Sequence, residues 1–200
     1  FRRGRVWEGF IKVPKQANMD MALAGVCIRE INARKVDACF IDVGFGHGTI
    51  DRLHELGYRR IVHPVGFGEQ AQRPDVYMNK RSEMICLAAD WVNNRGVKIP
   101  DDDEVHSDLA AMPIDETTSN GLKYIKPKKD IKKLLGGKST DILDAFALTF
   151  AYPVRRGATG AVGSGGGGGS SFGDEAGWRK KDGNGSSALS SRNRMSGRKK

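Results

Sequence analysis

The stretch from residue 38 to residue 65 constrains the fold of this chain more than any other. Ala38-Cys39-Phe40-Ile41-Asp42-Val43 is an apolar run of strand length, and Ile61 to Val65 is another. Between them Ile50, Leu53 and Leu56 recur at helical spacing until Gly57 ends the pattern. A strand, a helix and a second strand in that order pair in parallel through a right-handed crossover. The reading is therefore an α/β fold, with a sheet covered by helices on both faces.

Other elements follow from the same periodicities. Trp7 to Val13 reads as a strand stopped by Pro14, and Met19, Ala22, Leu23, Val26, Cys27 and Ile31 give a helix over 18–34. A loop over 66–78 leads to a helix with Met84, Ile85, Ala88, Trp91 and Val92 on one face, before Gly96. Asp101-Asp102-Asp103-Glu104 reads as the acidic start of a short helix, a solvated cap rather than a metal site. Leu122 to Ile125 is a short strand, and helices are expected over 128–135 and 141–151.

Composition divides the chain near Pro153. Residues 154–200 carry 10 Lys and Arg against 3 Asp and Glu, and 13 of the 26 glycines. The headline charge of +9 is thus mostly the tail's, and residues 1–153 form a nearly neutral globular domain. The Gly/Ser-rich basic tail, 154–200, has too few apolar residues to offset ordering and is expected to be disordered. It would serve equally as an electrostatic tether for nucleic acid or as a solubilising linker. Cys27, Cys39 and Cys86 are odd in number and widely spaced, which fits small core residues in a reducing compartment better than disulfides or a zinc site. No apolar run reaches spanning length and no signal peptide opens the chain, so the expected location is cytosolic, without membrane contact. The start at Phe1-Arg2-Arg3, without methionine, reads as a fragment.

The chemistry is carried by two acids about a hundred residues apart. Asp42 closes the strand before Gly44-Phe45-Gly46-His47-Gly48, and Asp144 lies in the apolar helix Ile142-Leu143-Asp144-Ala145-Phe146-Ala147-Leu148. Charged side chains are seldom buried without partners, so both positions suggest a shared cation. Ranked below them are His47, a lone histidine in a glycine turn, and Asp51, which reads as structural. Lys80, Arg81, Lys128, Lys129, Lys132 and Lys138 are candidate contacts to nucleic-acid phosphates, with a surface salt bridge the competing reading for Lys80 and Arg81.

Two glycine motifs offer rival functions. An acid at a strand end before Gly44-x-Gly46-x-Gly48 matches S-adenosylmethionine-dependent methyltransferases, whose glycines let backbone approach the cofactor. Against it, the next strand ends Pro64-Val65-Gly66 with Glu69 as the late acid, and too few strands follow. Gly136-Gly137-Lys138-Ser139 fails as a phosphate loop, because Lys132 stands where its first glycine belongs.

Four blocks, in order, carry a family resemblance. They are Phe40-Ile41-Asp42-Val43-Gly44 running to Thr49-Ile50-Asp51-Arg52-Leu53; Leu56-Gly57-Tyr58 with the strand ending near Gly66-Phe67-Gly68; Asn79-Lys80-Arg81-Ser82-Glu83-Met84 with Ile99-Pro100-Asp101-Asp102 downstream; and Lys138-Ser139-Thr140-Asp141-Ile142-Leu143-Asp144-Ala145 through Ala151. Together they span 1–153 and resemble the C-terminal nuclease domain of the large terminase subunit of tailed bacteriophages. The resemblance implies an RNase H-like mixed sheet and cleavage of concatemeric double-stranded viral DNA with two Mg²⁺ or Mn²⁺ ions. It implies as partners an ATPase domain, a small terminase subunit and a portal, in the host cytoplasm. Of the family's three acids, Asp42 matches the second and Asp144 the third, with Asp141 the alternative third. The first acid is expected on a strand ahead of Phe1, so the N-terminal strand of the fold is missing here. A chain in that state would act as an endonuclease or as a non-catalytic DNA-binding packaging module.

Overall fold

The computed structural model describes residues 1–14, 20–111 and 116–154. The expected disordered tail thus falls, Val154 apart, outside the described residues. A hairpin opens the chain, β1 (Arg2–Arg3) with β2 (Val6–Trp7), followed by α1 (Asp20–Arg34), β3 (Cys39–Asp42), α2 (Val43–Glu55) and β4 (Val62–Val65). Then come α3 (Lys80–Val92), α4 (Asp103–Ala110), a second hairpin of β5 (Glu116–Thr117) with β6 (Lys123–Tyr124), α5 (Lys128–Leu134) and α6 (Asp141–Leu148).

β3 and β4 pair in parallel, with Cys39 opposite Val62 and Asp42 opposite Val65. Successive strand residues point to opposite faces, and the packing follows that alternation. Cys39 and Ile41 pack with Ala24, Ile31, Leu53 and Val62, the core shared with α1 and α2. Phe40 packs with Val65, Met84, Ile85 and Phe146, the larger core built on α3 and α6. Helices therefore cover both faces, as expected. By the same alternation Asp42 takes Phe40's side, and α6 packs against β3 there.

The sheet itself is smaller than the expected mixed sheet. Among the described residues β-structure is three separate two-stranded pairs. Pro64 gives one reason. Cys39 N donates to Ile61 O, and the parallel pattern then turns the amides of His63 and Val65 toward β3. The missing N–H of Pro64 falls on the outer edge, where a further strand would need it.

The predicted strand Trp7 to Val13 is not formed; extended pairing stops at Trp7. Gly9 turns the chain at φ +123°, and its carbonyl accepts from the Phe1 ammonium at 2.7 Å and from Trp7 Nε1 at 3.2 Å. Among the described residues no strand pairs with the chain beyond Gly9, and alternation without a partner does not make a ladder. The hairpin has another use: Trp7 stacks on Phe146 of α6 at 4.0 Å, and Arg2 donates to Thr149 O at 2.7 Å, at that helix's C-terminal end.

The glycine turn is also a correction. α2 begins at Val43, directly after the strand, with Asp42 as its N-cap accepting from Gly44 N at 3.0 Å. Gly44, Gly46 and Gly48 lie inside the helix, and the last two serve close packing rather than a loop. A Cβ on Gly46 would stand 2.5 Å from Ile41 Cγ2, and one on Gly48 would overlap the Asp20 carboxylate. Intrinsic helix preference favours Ala over Gly by about 1 kcal/mol, but overpacking of this severity costs about 1–3 kcal/mol. Gly46→Ala should therefore lower unfolding free energy in a denaturant titration. In an Ile41→Ala background the same change should become neutral or stabilising.

Cys27, Cys39 and Cys86 form no disulfide. The Cys39 thiol has its pKa pushed up by its hydrogen bond with Cys27 and by burial, as befits a core thiol.

Candidate functional site

Helix α6 is held at its start by a residue from another helix. Asp108 of α4 is buried, and its Oδ2 accepts from Ile142 N at 3.0 Å and Leu143 N at 3.2 Å. Those amides are among the unpaired donors of a helix N-terminus, and a carboxylate there also meets the positive end of the helix. Lys138 Nζ stands 3.6 Å from Asp108 Oδ1. Nothing local in the sequence of α4 signals that one of its acids caps a helix 34 residues on.

Asp141 and Asp144 occupy the first turn of α6, three residues apart and so on neighbouring positions of one face. Asp144 is 6 % exposed. Its Oδ1 accepts from Arg81 Nη2 at 3.3 Å, while Arg81 Nη1 donates to Lys126 O at 2.7 Å. Arg81 thus ties α3, α6 and the segment ahead of α5 together around a buried carboxylate. Lys128, the first residue of α5, places its Nζ 2.6 Å from Asp141 Oδ1 and 2.9 Å from Asp144 Oδ2. The second contact is a close ion pair, and among the described residues the buried Asp144 Oδ2 has no further hydrogen-bond donor. Arg81 Nε is buried without a partner.

Electrostatics follow from this arrangement. Burial opposes the charge on Lys128, but its contacts with Asp141 and Asp144 outweigh that and raise its pKa. Lys128 lowers the pKa of Asp141, against some burial and with help from Ser139 and Lys132. The stability this pairing gives Asp141 is present above the unfolded carboxylate pKa and is lost as pH falls through the lower folded value.

Asp42 lies on the α6 side of β3 by strand alternation, and its carboxylate is engaged at the α2 N-terminus. Among the described residues no three His, Cys, Asp or Glu side chains group closely enough to hold a metal ion. The acids brought together are Asp141 and Asp144; Asp42 shares their side of the sheet without joining them in such a group.

Among the expected phosphate contacts the corrections are clear. Lys80 is 1 % exposed, its Nζ 2.8 Å from Glu83 Oε2 and 4.4 Å from the centre of the Tyr152 ring. It is a buried ion-pair residue and cannot reach a phosphate. Glu83 Oε2 and Oε1 also accept from the amides of Gln72 and Arg73 at 3.0 and 3.1 Å, so the pair pins the 66–78 loop to α3. The i, i+3 spacing of Lys80 and Glu83 was the available signal, masked by the rarity of buried lysine. Arg81 is committed to Asp144. Lys129 and Lys132 are exposed on α5, and Lys138 is exposed beside Asp108 and Ser107. His47 is exposed on α2.

No protein-family model, curated protein or solved structure matches this chain. No helix among the described residues is long and apolar enough to cross a membrane.

Proposed function

We propose that this chain is a divalent-metal-dependent endonuclease unit of the terminase large-subunit type, acting on double-stranded DNA. The observation that carries the reading is Asp144 Oδ2, a buried carboxylate oxygen met by the Lys128 ammonium at 2.9 Å, next to a second acid on the same helix face. Hard divalent cations such as Mg²⁺ and Mn²⁺ take oxygen donors and keep several waters, so this donor set suits them. An RNase H-like arrangement agrees with the parallel β3–β4 pair and the late acidic helix, and the ordered sequence blocks support it.

In this reading Asp144 and Asp141 would hold the ion, while Asp42 stays at the strand end as the N-cap of α2. Arg81 holds Asp144 through Oδ1, and Asp144 would offer the cation its other oxygen, now beside Lys128. Bound ions of this kind supply a nucleophilic water and shield the phosphoryl charge. Lys129 and Lys132 would hold the DNA backbone through phosphate contacts that carry no sequence information.

Two assays test it. Plasmid nicking should appear with Mn²⁺ and vanish with chelator. Lys129→Ala/Lys132→Ala should weaken duplex binding and reduce the salt slope of log K by about 2. Duplex binding without metal-dependent nicking would favour a DNA-holding packaging module. The methyltransferase alternative needs a glycine loop at the strand end, and α2 fills that place. S-adenosylmethionine should accordingly leave the melting temperature unchanged.

A further inference from the structure

The basic side chain nearest the two acids has a use that phosphate binding does not cover. Lys128 Nζ bridges Asp141 Oδ1 and Asp144 Oδ2 at 2.6 and 2.9 Å, at the point where both carboxylates converge. Its side chain is 42 % exposed, whereas that of Asp144 is 8 % exposed, so the ammonium closes the solvent side of a buried acid. The two cations on Asp144 differ in kind. Arg81 is buried, and its second nitrogen is fixed to Lys126 O. Among the described residues Lys128 Nζ is held by the two acids it bridges, and its side chain is half-exposed, so it can withdraw toward solvent without burying its own charge, leaving the Asp144 oxygen for another cation.

We infer that Lys128 is a tethered counter-ion that holds the place of a divalent cation between Asp141 and Asp144, and that metal entry requires its displacement. The inference rests on the functional reading above and adds regulation to that site. With metal absent, the ammonium neutralises two carboxylates that would otherwise repel each other and open the first turn of α6. An arriving divalent ion must compete with it, which sets a threshold metal concentration for occupancy. Once displaced, the ammonium lies at the edge of the site beside Lys129 and Lys132, where an incoming phosphodiester would favour its staying out.

Mn²⁺ titration by calorimetry, without DNA, separates this from a merely structural or phosphate-binding role. Lys128→Met, or Lys128→Gln should the first fold poorly, is expected to bind Mn²⁺ about tenfold more tightly than the parent chain. The same variant should melt lower than the parent in chelator and show the larger rise in melting temperature on adding Mn²⁺. Equal or weaker Mn²⁺ binding by both variants would overturn the inference, as would no Mn²⁺ binding by any of the three proteins. A parallel plasmid-nicking arm reports on the nuclease reading separately. Tighter Mn²⁺ binding by the variants with no nicking by the parent would uphold the gate and reject the nuclease.

Discussion

Asp144→Asn is expected to abolish Mn²⁺-dependent plasmid nicking, by at least about a hundredfold. A bound metal contributes several kcal/mol of charge stabilisation, and each 1.36 kcal/mol is a factor of ten in rate. The amide keeps an oxygen for Arg81 Nη2 but places either a neutral oxygen or an NH₂ where the cation needs a carboxylate. The fold should survive with lowered stability, because Arg81 keeps its bond to Lys126 O while losing its buried counter-charge. Circular dichroism at room temperature should be unchanged and the melting temperature reduced. Undiminished nicking by this variant would remove Asp144 from the site. Asp141→Asn should do less damage, since Asp141 is exposed and holds its place through Ser139 and Lys128.

The largest loss of stability is expected elsewhere, at Glu83→Gln. Glu83 neutralises a lysine that is 1 % exposed and accepts two loop amides through separate oxygens. Removing one partner of a buried ion pair costs about 3–5 kcal/mol, because the remaining charge is left in the interior. Gln also turns an NH₂ toward one of the two amides, so a donor faces a donor. A domain of this size has about 5–15 kcal/mol in total, so the variant should sit near its unfolding threshold. Chemical denaturation gives the number directly. A loss under 1 kcal/mol would mean that Lys80 escapes to solvent at little cost, against the packing described here.

Much of the fold is legible in the sequence where local pattern and tertiary packing agree. The 38–65 unit is one such region, because its strands alternate between two apolar cores and its helix is amphipathic. The acidic start of α4 is another: Asp102 accepts from Glu104 N and Val105 N, a purely local bond. Failures come where a residue's partner is distant. Gly44, Gly46 and Gly48 resemble a loop because glycine at a strand end usually buys unusual dihedrals, whereas here two of them admit Ile41 and Asp20. Trp7 to Val13 has the composition of a strand but lacks a neighbour beyond Gly9. Of the site, Asp144 is readable as an acid among apolar residues, whereas Asp141 enters only as the alternative third acid of the family resemblance. The partners that set its chemistry are not readable. Lys128 reads as one of five lysines in a basic run, and only the approach of α5 to α6 singles it out. Arg81 points inward to Asp144, 63 positions away, which no local pattern announces.

The most direct measurement is the position of Mn²⁺ in crystals soaked with the ion, located by anomalous scattering. A peak is expected between Asp144 Oδ2 and Asp141, within about 2–2.5 Å of carboxylate oxygen, with the Lys128 ammonium moved away. Manganese bound elsewhere, with Lys128 still bridging both acids, would contradict this placement.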